Sequence, residues 1–207
     1  MKIYDITAEI SQHLPFFGNE RPAITNLAQI DKGDAYNLTW LSMSAHTGTH
    51  ADMPSHFISG GSTCDKVPPE HFYGSAKVMR VPVKSHIRKA DLEPLDIQAG
   101  DIILLDTGQS ALMGHGMLSQ NFIALTTEAA EYLVEKKIKT VGIDYLSVDP
   151  YDATDFAAHK ALLGNGIAIL EGLVLEDVPE GIYTLSALPL KIPNGDGSPV
   201  RAVLVEE

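Results

Sequence analysis

Residues 44–57 read SAHTGTHADMPSHF and set His46, His50, Asp52 and His56 within eleven consecutive positions. Three of the chain's eight histidines stand here. A helix would bring His46 and His50 to one face, but Thr47, Gly48 and Thr49 are poor helix formers and Pro54 follows closely. An extended segment fits better. Its alternation points His46, Gly48, His50 and Asp52 to one side, and the missing side chain of Gly48 leaves room between the two imidazoles. Four residues of straight strand span about 13 Å, near the limit for two imidazoles to reach one ion, so a bulge or kink at Gly48 is expected. Asp52 then offers a carboxylate able to bind one ion or bridge two, and His56 returns toward the same space after the turn at Pro54. Burying so many titratable groups without a cation is costly, so the stretch reads as a metal site.

Outward from this segment, short runs rich in β-branched and apolar residues read as strands: KIYDITAE (2–9), AYNLTWLSMS (35–44), AKVMRVPV (76–83), DIILLDTG (101–108), TVGIDYLSV (140–148), GIAILEGL (166–173), GIYTLSALPL (181–190) and PVRAVLVE (199–206). Two helices stand between them. In TTEAAEYLVEKK (126–137), Ala129, Ala130, Leu133 and Val134 form an apolar stripe, Thr126 or Thr127 caps the start, and lysines close the last turn. DFAAHKALLG (155–164) ends on Gly164, read as a C-terminal cap. PNGDGSP (193–199) reads as a turn between strands. A strand-rich half followed by helix, strand, helix and strand predicts an α/β fold with a mixed β-sheet, in one domain covering 1–207.

Composition limits the function. The chain has 207 residues, 44% of them hydrophobic and 20% charged, which suits an ordinary globular core. Fifteen basic residues against 27 acidic ones give a formal charge of -12, contrary to the basic surface that nucleic acid requires. No apolar run approaches the roughly 20 residues of a membrane span. Lys2 and Asp5 interrupt any signal-peptide core, so a cytoplasmic protein is expected. Cys64 is the single cysteine, which leaves no intrachain disulfide and no thiolate cage. The chain also lacks a phosphate-binding glycine fingerprint and a Gly-x-Ser-x-Gly elbow.

Isolated histidines are ordinarily hydrogen-bonded structural residues, and His71, His86 and His115 are read so. His159 stands among alanines and leucines on the second helix, and Glu171 ends an apolar strand face shared with Ile167 and Ile169. Gly164 and Gly166 would turn that helix back beside that strand. Pattern alone leaves His159 and Glu171 open between ligand and structural residue.

The combination HTGTHADMPSHF, GIDYLSVD and HKALLGNGIAILEGL, with LPLKIPNGDGSPVRAVL near the end, resembles the metal-dependent cyclase family that includes bacterial kynurenine formamidases and isatin hydrolases. The resemblance implies a swivelling β/β/α or barrel-like fold and a homodimer or larger homo-oligomer. It further implies two divalent metal ions, zinc first and manganese as the alternative. His46, His50, Asp52 and Glu171 would surround one ion, Asp52, His159 and Glu171 the other, and His56 would be the general acid/base. Where kynurenine formamidases carry a substrate-stacking Trp, this chain has LPFFGNERP, so Phe16 and Phe17 are the candidate substrate-binding residues.

The expected reaction is hydrolysis of a carbon-nitrogen amide bond by metal-activated water, with an N-formyl arylamine such as N-formylkynurenine or a cyclic amide such as isatin as substrate. Two further readings stand beside it. A lyase or dehydratase would use the ions to stabilise an enolate, and a binding protein would turn nothing over. An uncoordinated base at His56 speaks against the binder.

Overall fold

The computed structural model describes residues 1–11, 13–15, 21–114 and 118–206. Eleven strands appear among them: β1 (Lys2–Asp5), β2 (Ala23–Ala28), β3 (Leu38–Ser42), β4 (His50–Asp52), β5 (Tyr73–Arg80), β6 (Ile102–Asp106), β7 (Thr140–Ile143), β8 (Ala168–Glu171), β9 (Gly181–Ser186), β10 (Gly197–Pro199) and β11 (Val203–Glu206). The α-helices are α1 (Lys89–Leu92), α2 (Ser110–Gly114), α3 (Thr127–Lys136) and α4 (Ala157–Gly164). Thr126 caps α3 by accepting from the Ala129 N–H. At α4 the expected cap is displaced: Gly164 is the last helical residue, and Gly166, at φ +74°, takes the left-handed turn toward β8.

Nine strands form one mixed sheet in the order β1-β11-β9-β5-β6-β7-β8-β4-β10. Pairing is parallel from β5 through β8 and antiparallel elsewhere. The central run Ile102–Leu105 is apolar at every position because both faces of β6 are covered. Ile103 and Leu105 pack with α3 and α4 residues such as Leu133 and Leu162. Ile102 and Leu104 face the opposite way, against Phe72, Leu170 and Leu185.

The sheet curls into a half-barrel. Ile6, just past β1, donates its N–H to Ala202 beside β11 and accepts from Val174 beyond β8, so one short segment ties together distant parts of the strand order. This is the mixed, barrel-like α/β arrangement expected. A strand unread in the sequence is β2, whose AITNLA segment is exposed at five of six positions and so lacks the alternation of a half-buried strand. It pairs with β3 as a separate two-stranded arm.

Candidate metal centre

Antiparallel pairing of β4 with β8 sets His50 opposite Glu171 and Asp52 opposite Ile169. Residues two apart on a strand share a face, so His50, Asp52 and Glu171 stand together on the face carrying Ile169. Helix α4 packs on that face and adds His159. The turn around Gly166 permits this, since the Ile167 N–H returns to the Leu162 carbonyl at 3.0 Å. His50, Asp52, His159 and Glu171 are each at most 4% exposed.

The carboxylate oxygens divide between two histidines. Asp52 Oδ1 and Glu171 Oε2 each lie 3.4 Å from His50 Nε2, and Asp52 Oδ1 also meets His46 Nδ1 at 2.7 Å. Asp52 Oδ2 and Glu171 Oε1 lie 3.3 and 3.1 Å from His159 Nε2. Each carboxylate therefore turns one oxygen to each side, the arrangement a bridging ligand pair needs. His56 stacks on His46 at 4.0 Å between ring centroids, outside the carboxylate pair.

The outer hydrogen bonds choose which imidazole nitrogen points inward. His50 Nδ1 donates to the Gly48 carbonyl at 2.9 Å, and His159 Nδ1 donates to Asp149 Oδ2 at 2.6 Å. Each Nε2 is thus the free nitrogen, facing carboxylate oxygens. Such outer partners commonly orient metal-binding histidines. Asp52 Oδ2 is buried with no hydrogen bond, because His159 is within ion-pairing distance but not aligned to donate.

Without an ion, protons must neutralise this pocket. Burial opposes charge on His50, but hydrogen bonds from its ring to the Asp52 and Glu171 carboxylates outweigh it and push its pKa up to about 10. Burial likewise opposes charge on His159, and the Glu171 charge with the Asp149 and Asp52 contacts holds it well above the usual imidazole range. The site demands positive charge and presents deprotonatable N and O donors, which fits divalent cations. His46, Asp52 and His56 form one set of donor atoms close enough to hold a metal, and His50, Asp52 and Glu171 form another.

Residues 4–150 match the family described as "Putative cyclase". The chain belongs to the cyclase family. Kynurenine formamidase of Salinibacter ruber is 37% identical over 207 residues, covering 99% of this chain and 97% of the relative. A solved structure described as a potential metal-dependent hydrolase with cyclase activity is 36% identical, with TM-score 0.86, covering 98% of this chain and 96% of its own. Isatin hydrolase A from Labrenzia aggregata, solved with benzyl benzoate bound, is 29% identical with TM-score 0.86 and covers 100% of this chain and 94% of its own.

In this cyclase-family chain the donor atoms open into a pocket of about 480 Å³. Phe57, Tyr151 and Phe156 give it an aromatic wall above His56 and His159. Phe57 lies 5.1 Å from Phe156 and 4.5 Å from the His159 ring, centroid to centroid. Phe156 is held at φ +50°, an unusual conformation for a non-glycine residue and one that clusters at functional sites. Phe16 and Phe17 lie outside the described residues, as does His115. Leu14, Pro15 and Pro22, on either side of the two phenylalanines in sequence, line the pocket.

Gly48 supplies the expected bend, at φ +65°. The detail differs from the sequence reading in two respects. His46 lies in a turn and does not continue the alternation of β4, so only His50 and Asp52 share a strand face. A Cβ at position 48 would meet Leu14 Cδ1 at 3.3 Å and would not enter the space between the imidazoles. Close approach also governs Gly172, where a Cβ would fall 2.4 Å from the Gly48 carbonyl oxygen.

Two acidic residues near the site escaped the sequence reading. Asp149 accepts from the Ala158 and His159 N–H groups at 2.9 and 3.0 Å, capping α4 from outside while fixing the His159 ring. In sequence Asp196 is marked only as part of the 193–199 turn. Its Oδ2 approaches His46 Nε2 at 3.2 Å and His56 Nδ1 at 3.4 Å. His71 and His86 bond main-chain groups, at Lys139 O and Ala124 N, as structural histidines do.

Proposed function

We propose that the chain is a metal-dependent hydrolase of carbon-nitrogen amide bonds whose substrate carries an aryl group, as in an N-formyl arylamine or an isatin-like cyclic amide. The observation carrying this reading is the division of the Asp52 and Glu171 oxygens between His50 and His159. That division suits two ions, with His46, His50, Asp52 and Glu171 around one and Asp52, His159 and Glu171 around the other. Nitrogen and oxygen donors alone suit zinc, with manganese the alternative.

A divalent ion there supplies Lewis acidity, polarising a carbonyl and acidifying a water. His56 moves protons between that water and the leaving nitrogen. In the metal-free protein burial, then the neighbouring charges of His46 and His159, lower its pKa from the usual imidazole value against the pull of Asp52 and Asp196. Phe57, Tyr151 and Phe156 offer faces on which an aryl ring can stack.

Metal-replete protein should hydrolyse formanilides or isatins faster than small aliphatic amides. Phe156→Ala should lower kcat/KM for the aryl substrates by roughly 5- to 150-fold, the equivalent of about 1 to 3 kcal/mol of aromatic burial. Metal content should not change. Equal losses on aryl and aliphatic amides would leave the ring a purely structural part, and turnover of no amide would move the assignment to a lyase.

We take residues 1–207 as one hydrolase domain that works in the cytoplasm, its unity supported by a sheet running from Lys2 to Glu206. No helix among the described residues is long and apolar enough to cross a membrane. We also place the enzyme as a homodimer. Isolated two-stranded hairpins are marginal in water, yet the β2–β3 arm exposes Ile24, Leu38, Leu41 and Trp40, the last at 61%. The arm leaves from the rim of the active pocket, which Pro22 and Ser44 line at its two ends. Light scattering should give a dimer mass, and Trp40→Asp should shift it toward the monomer; a wild-type monomer would end this assignment.

A further inference from the structure

Residues 193–199 hold Asp196 against the site by several independent ties. Gly197 pairs with Asp52 in the β10–β4 register, the Asp196 carbonyl accepts from the Met53 N–H at 3.0 Å, and the Gly195 carbonyl accepts from the Cys64 N–H at 2.9 Å. Glycine at 197 lets the loop press on a site ring, since a Cβ there would lie 2.5 Å from His46 Cε1. The Asp196 side chain is 52% exposed, and its Oδ2 hydrogen-bonds with His46 Nε2 at 3.2 Å and lies within ion-pairing distance of His56 Nδ1, at 3.4 Å. Asp196 belongs to neither set of described residues able to gather around a metal ion.

The geometry points to Asp196 as the residue that positions His56: its Oδ2 lies 3.4 Å from Nδ1, within ion-pairing distance, so the carboxylate draws the Nδ1 proton to its side and leaves Nε2 for the substrate. A carboxylate cannot donate, so this contact selects the Nδ1–H tautomer of the neutral ring. The inference rests on His56 being the acid/base of the proposed hydrolysis. In that reaction Nε2 takes a proton from the attacking water as its oxygen bonds to the carbonyl carbon. The C–N bond then breaks, its electron pair goes to nitrogen, and Nε2 returns the proton to that nitrogen. Asp196 keeps Nδ1–H in place and stabilises the imidazolium between the two transfers. Residues that orient a working histidine in this way are typically worth about 10- to 100-fold in activity.

Asp196→Asn tests this. Its amide can donate to Nδ1, which favours the opposite tautomer. With formanilide substrates kcat should fall roughly 10- to 100-fold with KM little changed, and more steeply for a p-methoxyanilide than for a p-nitroanilide, whose amine leaves with less help. Elemental analysis should find the wild-type metal content. The double variant His56→Ala/Asp196→Asn should be no slower than His56→Ala, because two residues acting as one unit are not additive. Nitrogen-15 NMR of the zinc-loaded protein should show His56 protonated on Nδ1 in the wild type and on Nε2 in the variant. Loss of metal, additive effects in the double variant, equal losses across anilides or an unchanged tautomer would each overturn the positioning role. Failure of the wild type to hydrolyse any amide would instead remove the functional assignment, and the NMR measurement would still decide what Asp196 does to His56.

Discussion

Asp52→Ala and Glu171→Ala are each expected to lose bound metal and hydrolytic activity together. The two oxygens of each carboxylate face different histidines, so either substitution removes a donor from both sides of the site at once. In the metal-free protein each substitution also strips a counter-charge from buried imidazoles, and unpairing a buried charge costs about 3–5 kcal/mol. Part of the loss could therefore be unfolding. The isosteric Asp52→Asn keeps the volume, and circular dichroism with elemental analysis separates the effects: a folded Asn variant without metal supports the bridge. A variant that kept one full equivalent of metal would show that the carboxylate serves a single ion.

His56→Ala is expected to separate chemistry from binding. The ring stacks on His46 and lines the pocket, beyond the inward-facing nitrogens of His50 and His159. Its removal should leave metal content intact while kcat falls by roughly 10²- to 10⁴-fold, the usual contribution of a general acid/base. His46, Asp52 and His56 are also close enough to gather around an ion, so this measurement discriminates between two roles for the same side chain. Loss of metal from the His56 variant would make it a ligand and leave the proton transfers to another group.

The difference between Gly48 and Asp149 shows what local sequence carries. Gly48 announces its bend because a short segment must draw two histidines together, and the required positive φ belongs to glycine. The outward bond from His50 to the Gly48 carbonyl completes the same local device. Asp149 holds His159 from ten residues away, across a loop whose path no periodicity describes. Asp196 is further still, brought beside His56 only when β10 pairs with β4. The aromatic wall is of this second kind, because Phe57 and Phe156 sit 99 positions apart in the sequence and meet through the packing of α4.

By itself the sequence determined the mixed α/β character, the extent of α3, the bend at Gly48 and the donor types around Asp52. Each follows from short-range rules: side-chain period, helix capping, glycine's access to positive φ and the charge chemistry of imidazole and carboxylate. Tertiary structure alone decided the order of the sheet, the pairing of β2 with β3, the opposition of His50 to Glu171 and the sharing of carboxylate oxygens between His50 and His159. Strand register is the physical reason. A shift of one residue between β4 and β8 would turn one strand's donors to the opposite face, and the correct alignment is selected by burial of both strands in the finished sheet, to which residues far apart in the chain contribute.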